Sequence, residues 1–214
     1  MSVRTLLVDD HAVVREGYRR LLERTPDIRV VAETSSGEEA YRTFCELAPD
    51  VVVMDINLPG TSGVDITRRI VARDAQARVL VFSMHEDAMF ASRALEAGAK
   101  GYVTKASAPE VLVEAVRAVA GGRVYLSQDV AQQLALQTIP GHQLPLSNLS
   151  AREFEVFRLL AEGRSVVEIA QIMCLSQKTI ANYQSNIRQK LDLTNAAQIV
   201  RLAMIHGLLD KDLQ

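Results

Sequence analysis

Residues 50–63 read DVVVMDINLPGTSG, and their first six decide the fold. Four apolar residues, Val51 to Met54, end abruptly in the charged Asp55. A short apolar run without polar alternation suits a strand buried on both faces, as in a parallel sheet. Similar runs lie at 3–8 (VRTLLV), 28–32 (IRVVA), 79–82 (VLVF) and 101–104 (GYVT). Between them, apolar residues recur at spacings of three and four over 11–24, 37–47, 63–72, 87–97 and 107–120, which predicts helices. Ser36 ahead of GEEA and Ser107 ahead of APEVL are candidate caps. Pro109 falls in a first turn, where its missing N–H costs nothing. Strand and helix alternating five times predict an α/β doubly wound, five-stranded parallel sheet with right-handed crossovers. Ligands of such sheets gather at the carboxyl ends of the strands.

Gly121-Gly122 closes this pattern. A short YLS segment and a helical stretch, DVAQQLALQ, follow, and then TIPGHQLPLSN, which carries two prolines, a glycine and no charge. We therefore divide the chain into 1–122, a linker with a short helix at 123–147, and a helical domain at 148–214. The last part shows only helical spacing, over 150–162, 166–173, 177–191 and 195–206. Its 214 residues, 48% apolar and 23% charged, suit a soluble chain of two small domains. No apolar run is long enough to span a bilayer and the N-terminus lacks a signal-like stretch, so a cytoplasmic protein without membrane contact is expected. Cys45 and Cys174 lack metal-ligand spacing and read as unpaired, buried or half-buried thiols.

The net charge of −2 looks uninformative until it is located. Residues 1–126 hold 16 basic and 18 acidic side chains, and residues 127–214 hold 8 of each. Asp9 and Asp10 directly follow the first strand, and Asp55 follows the third. A parallel sheet brings all three to one edge, where like charges repel. A hard cation such as magnesium, which takes oxygen ligands, resolves that conflict. One carboxylate is then free to act as a nucleophile toward a phosphoryl group. Ser83 follows the fourth strand and offers a hydroxyl donor, and Lys105 follows the fifth and offers an ammonium.

VDDH at 8–11, DVVVMDINLPGTSG at 50–63, FS at 82–83 and GAKGYVTK at 98–105 together resemble the flavodoxin/CheY-like receiver domain of bacterial two-component response regulators. The resemblance implies that Asp55 is the phospho-acceptor, charged by a sensor histidine kinase. It implies a Mg2+ site formed by Asp10 and Asp55, with Asp9 nearby and the Asn57 carbonyl as a further ligand. Ser83 and Tyr102 match the pair that reorients on phosphorylation, and Lys105 matches the phosphate-contacting lysine. The sequence departs from the family in having Ala106, rather than proline, after that lysine. His85 and Asn57 are candidates for lining the path of the hydrolytic water.

In the second half, VVEIAQIM, a turn around Cys174-Leu175-Ser176, and QKTIANYQSNIRQKL read as a helix-turn-helix with Ser176 as N-cap. Within 176–191, Lys178, Arg188 and Lys190 meet no acidic residue. LSAREFEVFRLLAEGRSVVEIAQIMCLSQKTIANYQSNIRQKL resembles the LuxR-type output domain of the NarL/FixJ family. That resemblance makes 177–190 the recognition helix for double-stranded DNA and 195–206 a dimer contact. Lys178, Thr179, Asn182, Tyr183, Ser185, Asn186 and Lys190 are the candidate DNA-facing residues, with Lys190 on a phosphate. The family commonly shows lysine and histidine where this chain has Ala181 and Tyr183. Similar Asn-Tyr variants occur in the GacA/UvrY-like branch.

The expectation is a response regulator, not an enzyme, that forms a homodimer on activation. Two alternatives stay open at this point: an output domain that binds protein, and a magnesium-dependent phosphatase built on the same acids.

Overall fold

The computed structural model describes residues 2–59, 61–86, 88–137, 145–173, 175–205 and 208–209. Cys174, residues 138–144 of the expected linker, and residues 206–207 and 210–214 of the expected helical domain lie outside the described residues. The chain divides into two compact units, 1–136 and 137–214.

The first unit alternates β1 (Val3–Val8), α1 (Ala12–Glu23), β2 (Ile28–Thr34), α2 (Gly37–Leu47), β3 (Val51–Met54), α3 (Gly63–Arg73), β4 (Val79–Ser83), α4 (Ala88–Glu96), β5 (Gly101–Thr104) and α5 (Pro109–Ala120). It ends in β6 (Tyr125–Leu126) and α6 (Gln128–Gln137). The sheet is parallel, in the order β2-β1-β3-β4-β5-β6. The expected doubly wound sheet is present with six strands rather than five. The sixth has only two residues, too few to show a pattern in sequence. With α6 it extends the first unit through what reads as the start of a linker, and Val130 of α6 is fully buried.

Successive strand residues serve opposite faces, as the pleat requires. Leu7, Val51 and Val53 pack with Leu22 of α1 and with Leu112, Val116 and Val119 of α5. Leu6, Val8, Val52 and Met54 pack with Phe44 of α2 and with Ile66 and Ile70 of α3. Fully burying one such side chain contributes about 1.5–3 kcal/mol, so both faces hold the strands in register. Cys45 lies just off the buried Ala40–Phe44 stripe of α2 and is unpaired but exposed, not buried.

Ser36 caps α2 by accepting from the Glu39 amide. Ser107 does not cap α5: the N-cap is Ala108, and the Ser107 hydroxyl instead meets the Thr104 hydroxyl at 2.9 Å. Chain order around β1 reverses between β2 and β3, so the crevice at the ends of β1 and β3 is the switch point of the sheet.

The second unit begins with a 3-10 turn (Pro145–Asn148) and contains α7 (Ala151–Ala161), α8 (Val166–Ile172), α9 (Gln177–Leu191) and α10 (Ala196–Ile205). Two capping boxes, Ser150 with Glu153 and Ser165 with Glu168, start α7 and α8. Ser176 starts α9 by accepting from the Thr179 amide at 3.1 Å. Leu146, Phe157, Ile169, Ile180, Ile187 and Ala203 are buried and form its core. Among the described residues, no helix is long and apolar enough to cross a membrane.

Gly63 opens α3 directly against the strand that carries Asp55. A Cβ there would fall 1.8 Å from the Asp55 carbonyl oxygen, a backbone atom that cannot swing aside. Gly63→Ala is expected to destabilise the first unit by about 2 kcal/mol or more, by overpacking. Urea unfolding of the variant checks this, and an unchanged midpoint would contradict it.

Candidate functional site

Asp9, at the end of β1, and Asp55, at the end of β3, are both almost fully buried. The Lys105 ammonium, just past β5, donates to Asp9 Oδ2 at 2.6 Å and to Asp55 Oδ2 at 2.7 Å. The Lys105 side chain is only 5% exposed. One cation thus lies between two carboxylates from separate strands, which partly offsets their repulsion and desolvation. Burial pushes the Asp55 carboxyl above its ordinary value, against the Lys105 hydrogen bond and charge and with help from the neighbouring Asp9. Burial also opposes the Lys105 charge, but its bonds to Asp55 and Asp9 outweigh that and hold its pKa above the ordinary lysine value. No described peptide bond is cis, so Lys105 reaches both acids from a trans bond to Ala106.

Asp10 is exposed and pairs with His11 Nδ1 at 2.7 Å. Asp9, Asp10, His11 and Asp55 each bring a ligand atom within 4.8 Å of the others. His11 is a member that sequence reasoning passed over, although it sits directly beside the acid pair. The carboxylate oxygens are hard donors and fit a hard divalent cation. The Asn57 amide donates to Asp55 Oδ1 at 3.4 Å, which brings its loop to the same carboxylate.

Ser83, at the end of β4, and Tyr102, the second residue of β5, are fully buried. They meet at His85. The His85 amide donates to Ser83 Oγ at 3.2 Å, and the Tyr102 hydroxyl donates to the His85 carbonyl at 2.7 Å. The His85 ring lies 3.2 Å from Asn57 Oδ1 through Nε2 and stacks on Phe90 of α4 with centroids 3.8 Å apart. The Ser83 hydroxyl accepts from His85, so its own proton remains for an oxygen entering the pocket.

On α9, Lys178, Asn182, Ser185 and Asn186 are exposed, and Thr179 and Tyr183 are half-buried. The spacing of Lys178, Asn182 and Ser185 puts them on one stripe, opposite the buried Ile180 and Ile187. Two candidates have internal partners. The Thr179 hydroxyl lies 2.8 Å from Ser176 Oγ in the cap. Lys190 donates to Glu153 Oε2 at 2.7 Å, although it was expected on a DNA phosphate. Glu153 is 5% exposed and also accepts from the Ser150 amide at 2.7 Å, so Lys190 ties the end of α9 to the start of α7. Among the described residues, Lys178 and Arg188 form no ion pair and are the cations of α9 left facing solvent.

Burial alone would raise the Glu153 carboxyl, but hydrogen bonds from Lys190 and Ser150 outweigh it and hold it below the usual 4.5. A depressed carboxyl stabilises the fold above its unfolded pKa and loses that contribution as pH falls through the folded value. Lys190→Met is therefore expected to cost about 1–2 kcal/mol at pH 7, from the lost charged hydrogen bond. That deficit should shrink as pH falls below the ordinary glutamate range. Hydrogen exchange at α7 and α9 amides of the full chain measures it, and a deficit constant from neutral to acid pH would contradict the assignment.

Two family profiles match the chain: a response regulator receiver domain over residues 5–117, and bacterial regulatory proteins of the luxR family over residues 147–203. The transcriptional activator protein ExaE of Pseudomonas putida is 44% identical over 207 residues, covering 95% of this chain and 97% of ExaE. The response regulator UvrY of Escherichia coli K12 is 37% identical over 208 residues, covering 96% of this chain and 95% of UvrY. A solved structure of RcsB from Salmonella enterica serovar Typhimurium, bound to promoter rprA in the presence of phosphomimetic BeF3-, superposes with a TM-score of 0.76. It is 25% identical, with 94% of this chain and 98% of RcsB covered. The chain thus matches relatives along nearly its whole length, and it belongs to the response regulators that join a receiver domain to a LuxR-type DNA-binding domain.

Proposed function

We propose that this regulator accepts a phosphoryl group on Asp55 from a sensor histidine kinase, and that phosphorylation controls homodimerisation and binding to double-stranded DNA. The observation that carries the reading is the buried Asp9–Lys105–Asp55 bridge. An ammonium against the acceptor carboxylate can stabilise charge gathering on the phosphoryl oxygens during transfer. One Asp55 oxygen forms the new O–P bond as the P–N bond to the kinase histidine breaks, and the imidazole leaves with the electron pair. Asp9, Asp10, Asp55 and the Asn57 carbonyl would hold Mg2+, which supplies charge neutralisation for the incoming phosphoryl oxygens. Ser83 then donates its free proton to the phosphoryl group, and Tyr102 follows through the shared contact at His85. Cytoplasmic location agrees with a kinase-fed DNA binder.

For α9 the proposed DNA surface is Lys178, Asn182, Tyr183, Ser185 and Asn186, with Thr179 at its border. Asn182 is suited to adenine, and Tyr183 to a phosphate. Lys190 serves this surface indirectly, by fixing the angle of α9. A single unit of net charge +1 with so few free cations binds weakly, so pairing two of them on half-sites about one helical turn apart supplies the affinity.

Gel shift and sizing of wild type and Asp55→Ala, with and without acetyl phosphate, test the whole reading. The phosphodonor should raise both dimer fraction and DNA affinity in wild type alone. No change in either quantity for wild type would end it. Lys178→Ala should lower the salt slope of DNA binding by about one. His85→Ala should change the dephosphorylation rate more than the final extent of labelling, and an unaltered phosphoryl lifetime would remove His85 from the water path.

A further inference from the structure

Helix α6 lies outside both matched families, which end at residue 117 and resume at residue 147. It nevertheless touches the two elements that flank the phosphoryl pocket. At one end, Asp129 Oδ2 accepts from the Thr104 hydroxyl at 3.0 Å. Thr104 is buried and immediately precedes Lys105, whose ammonium bridges the two carboxylates. One turn further along the helix, Gln133 Oε1 accepts from the Ala88 amide at 3.0 Å. Ala88 is the first residue of α4, where backbone amides have no partner within their own helix. A side chain from α6 therefore supplies a cap that α4 would otherwise find locally or in water. The residue directly ahead of α6 is also bonded to the switch strand, because the Ser127 amide donates to the Tyr102 carbonyl at 3.0 Å.

These bonds form a closed circuit. Tyr102 holds the β4–α4 loop through its hydroxyl and the start of α6 through its carbonyl. Gln133 returns from α6 to α4. Beyond Val130, little of α6 is buried, and Leu136 is 48% exposed. The helix is held largely by polar bonds to its neighbours, the profile of a segment that opens at low cost. Two sites joined in this way bias each other equally.

We propose that Asp129 and Gln133 are positioning residues of the phosphoryl site, through which docking of α6 and the state of Asp55 form one coupled equilibrium. This rests on Asp55 being the acceptor. Asp129 steadies the strand end that aims Lys105, and Gln133 steadies the start of α4 just beyond the His85 loop. Release of α6 loosens both. By the same linkage, phosphorylation of Asp55, which the aimed Lys105 and the steadied β4–α4 loop favour, tightens the docking of α6.

The test compares full-length wild type with the Asp129→Ala/Gln133→Leu double variant and the Asp129→Asn/Gln133→Glu double variant. The second pair keeps an acceptor oxygen at both positions. The initial rate of Asp55 labelling by acetyl phosphate with MgCl2 should fall at least threefold in the first variant. It should return to within twofold of wild type in the second, a rescue that mere loss of helix packing would not give. In wild type, exchange at amides 129–136 should change on adding the phosphodonor, and in Asp55→Ala it should not. Wild-type labelling rates in the Asp129→Ala/Gln133→Leu chain, or α6 amides indifferent to phosphodonor in a labelled wild type, would overturn the coupling while leaving the acceptor reading intact. No label on wild type would overturn both.

Discussion

Everything in the first unit is arranged around one lysine ammonium that must neutralise two buried carboxylates. Asp9 and Asp55 lie side by side because β1 and β3 are adjacent parallel strands in register, with Val8 opposite Met54. The same adjacency that makes the pocket makes it electrostatically costly. Lys105 reaches both acids only because β5 ends level with β4, where Ser83 pairs with Thr104. Strand length, strand order and the tight approach at Gly63 therefore all serve one local charge balance. Ser83 and Tyr102 sit at the rim of this balance. Ser83, Tyr102 and Asn57 converge on His85, whose ring stacks on α4, so a disturbance at the acid cluster has a short route to a helix.

The second unit solves a different problem, which is to present a polar helix rigidly without a large core. Capping boxes set the starts of α7 and α8, and Ser176 sets that of α9. Glu153 does two jobs, since it caps α7 and anchors Lys190. The orientation of α9 thus depends on a buried carboxylate of α7.

Much of this was legible in the sequence for identifiable reasons. Strands such as VVVM and VLVF are buried on both faces, so their runs stand out, and each ends in the residue that matters: Asp55 after β3, Ser83 closing β4, Lys105 after β5. The α9 boundaries followed from Ser176 and the spacing of Ile180 and Ile187. The misses share a cause as well. β6 is two residues long, and its pairing with β5 leaves no mark on its own composition. Ser107 looks like a cap by type, but the turn presents Ala108 at the cap position and sends the hydroxyl to Thr104. Lys190 looks like a free cation because Glu153, its partner, is 37 residues away. Local pattern reports local structure, and these features depend on partners that only the folded chain brings near.

The reach of Lys105 also bears on how the first unit is made. Its partner Asp9 lies 96 residues earlier in the chain. A nascent chain that has emerged only through β4 holds the acids without their counter-charge, and closing β1 against β3 then buries repelling groups. The sheet gains its full stabilisation only once β5 arrives, so folding is expected to be cooperative over most of the unit rather than to accumulate strand by strand. A ribosome pausing before residue 105 would hold a chain that remains open.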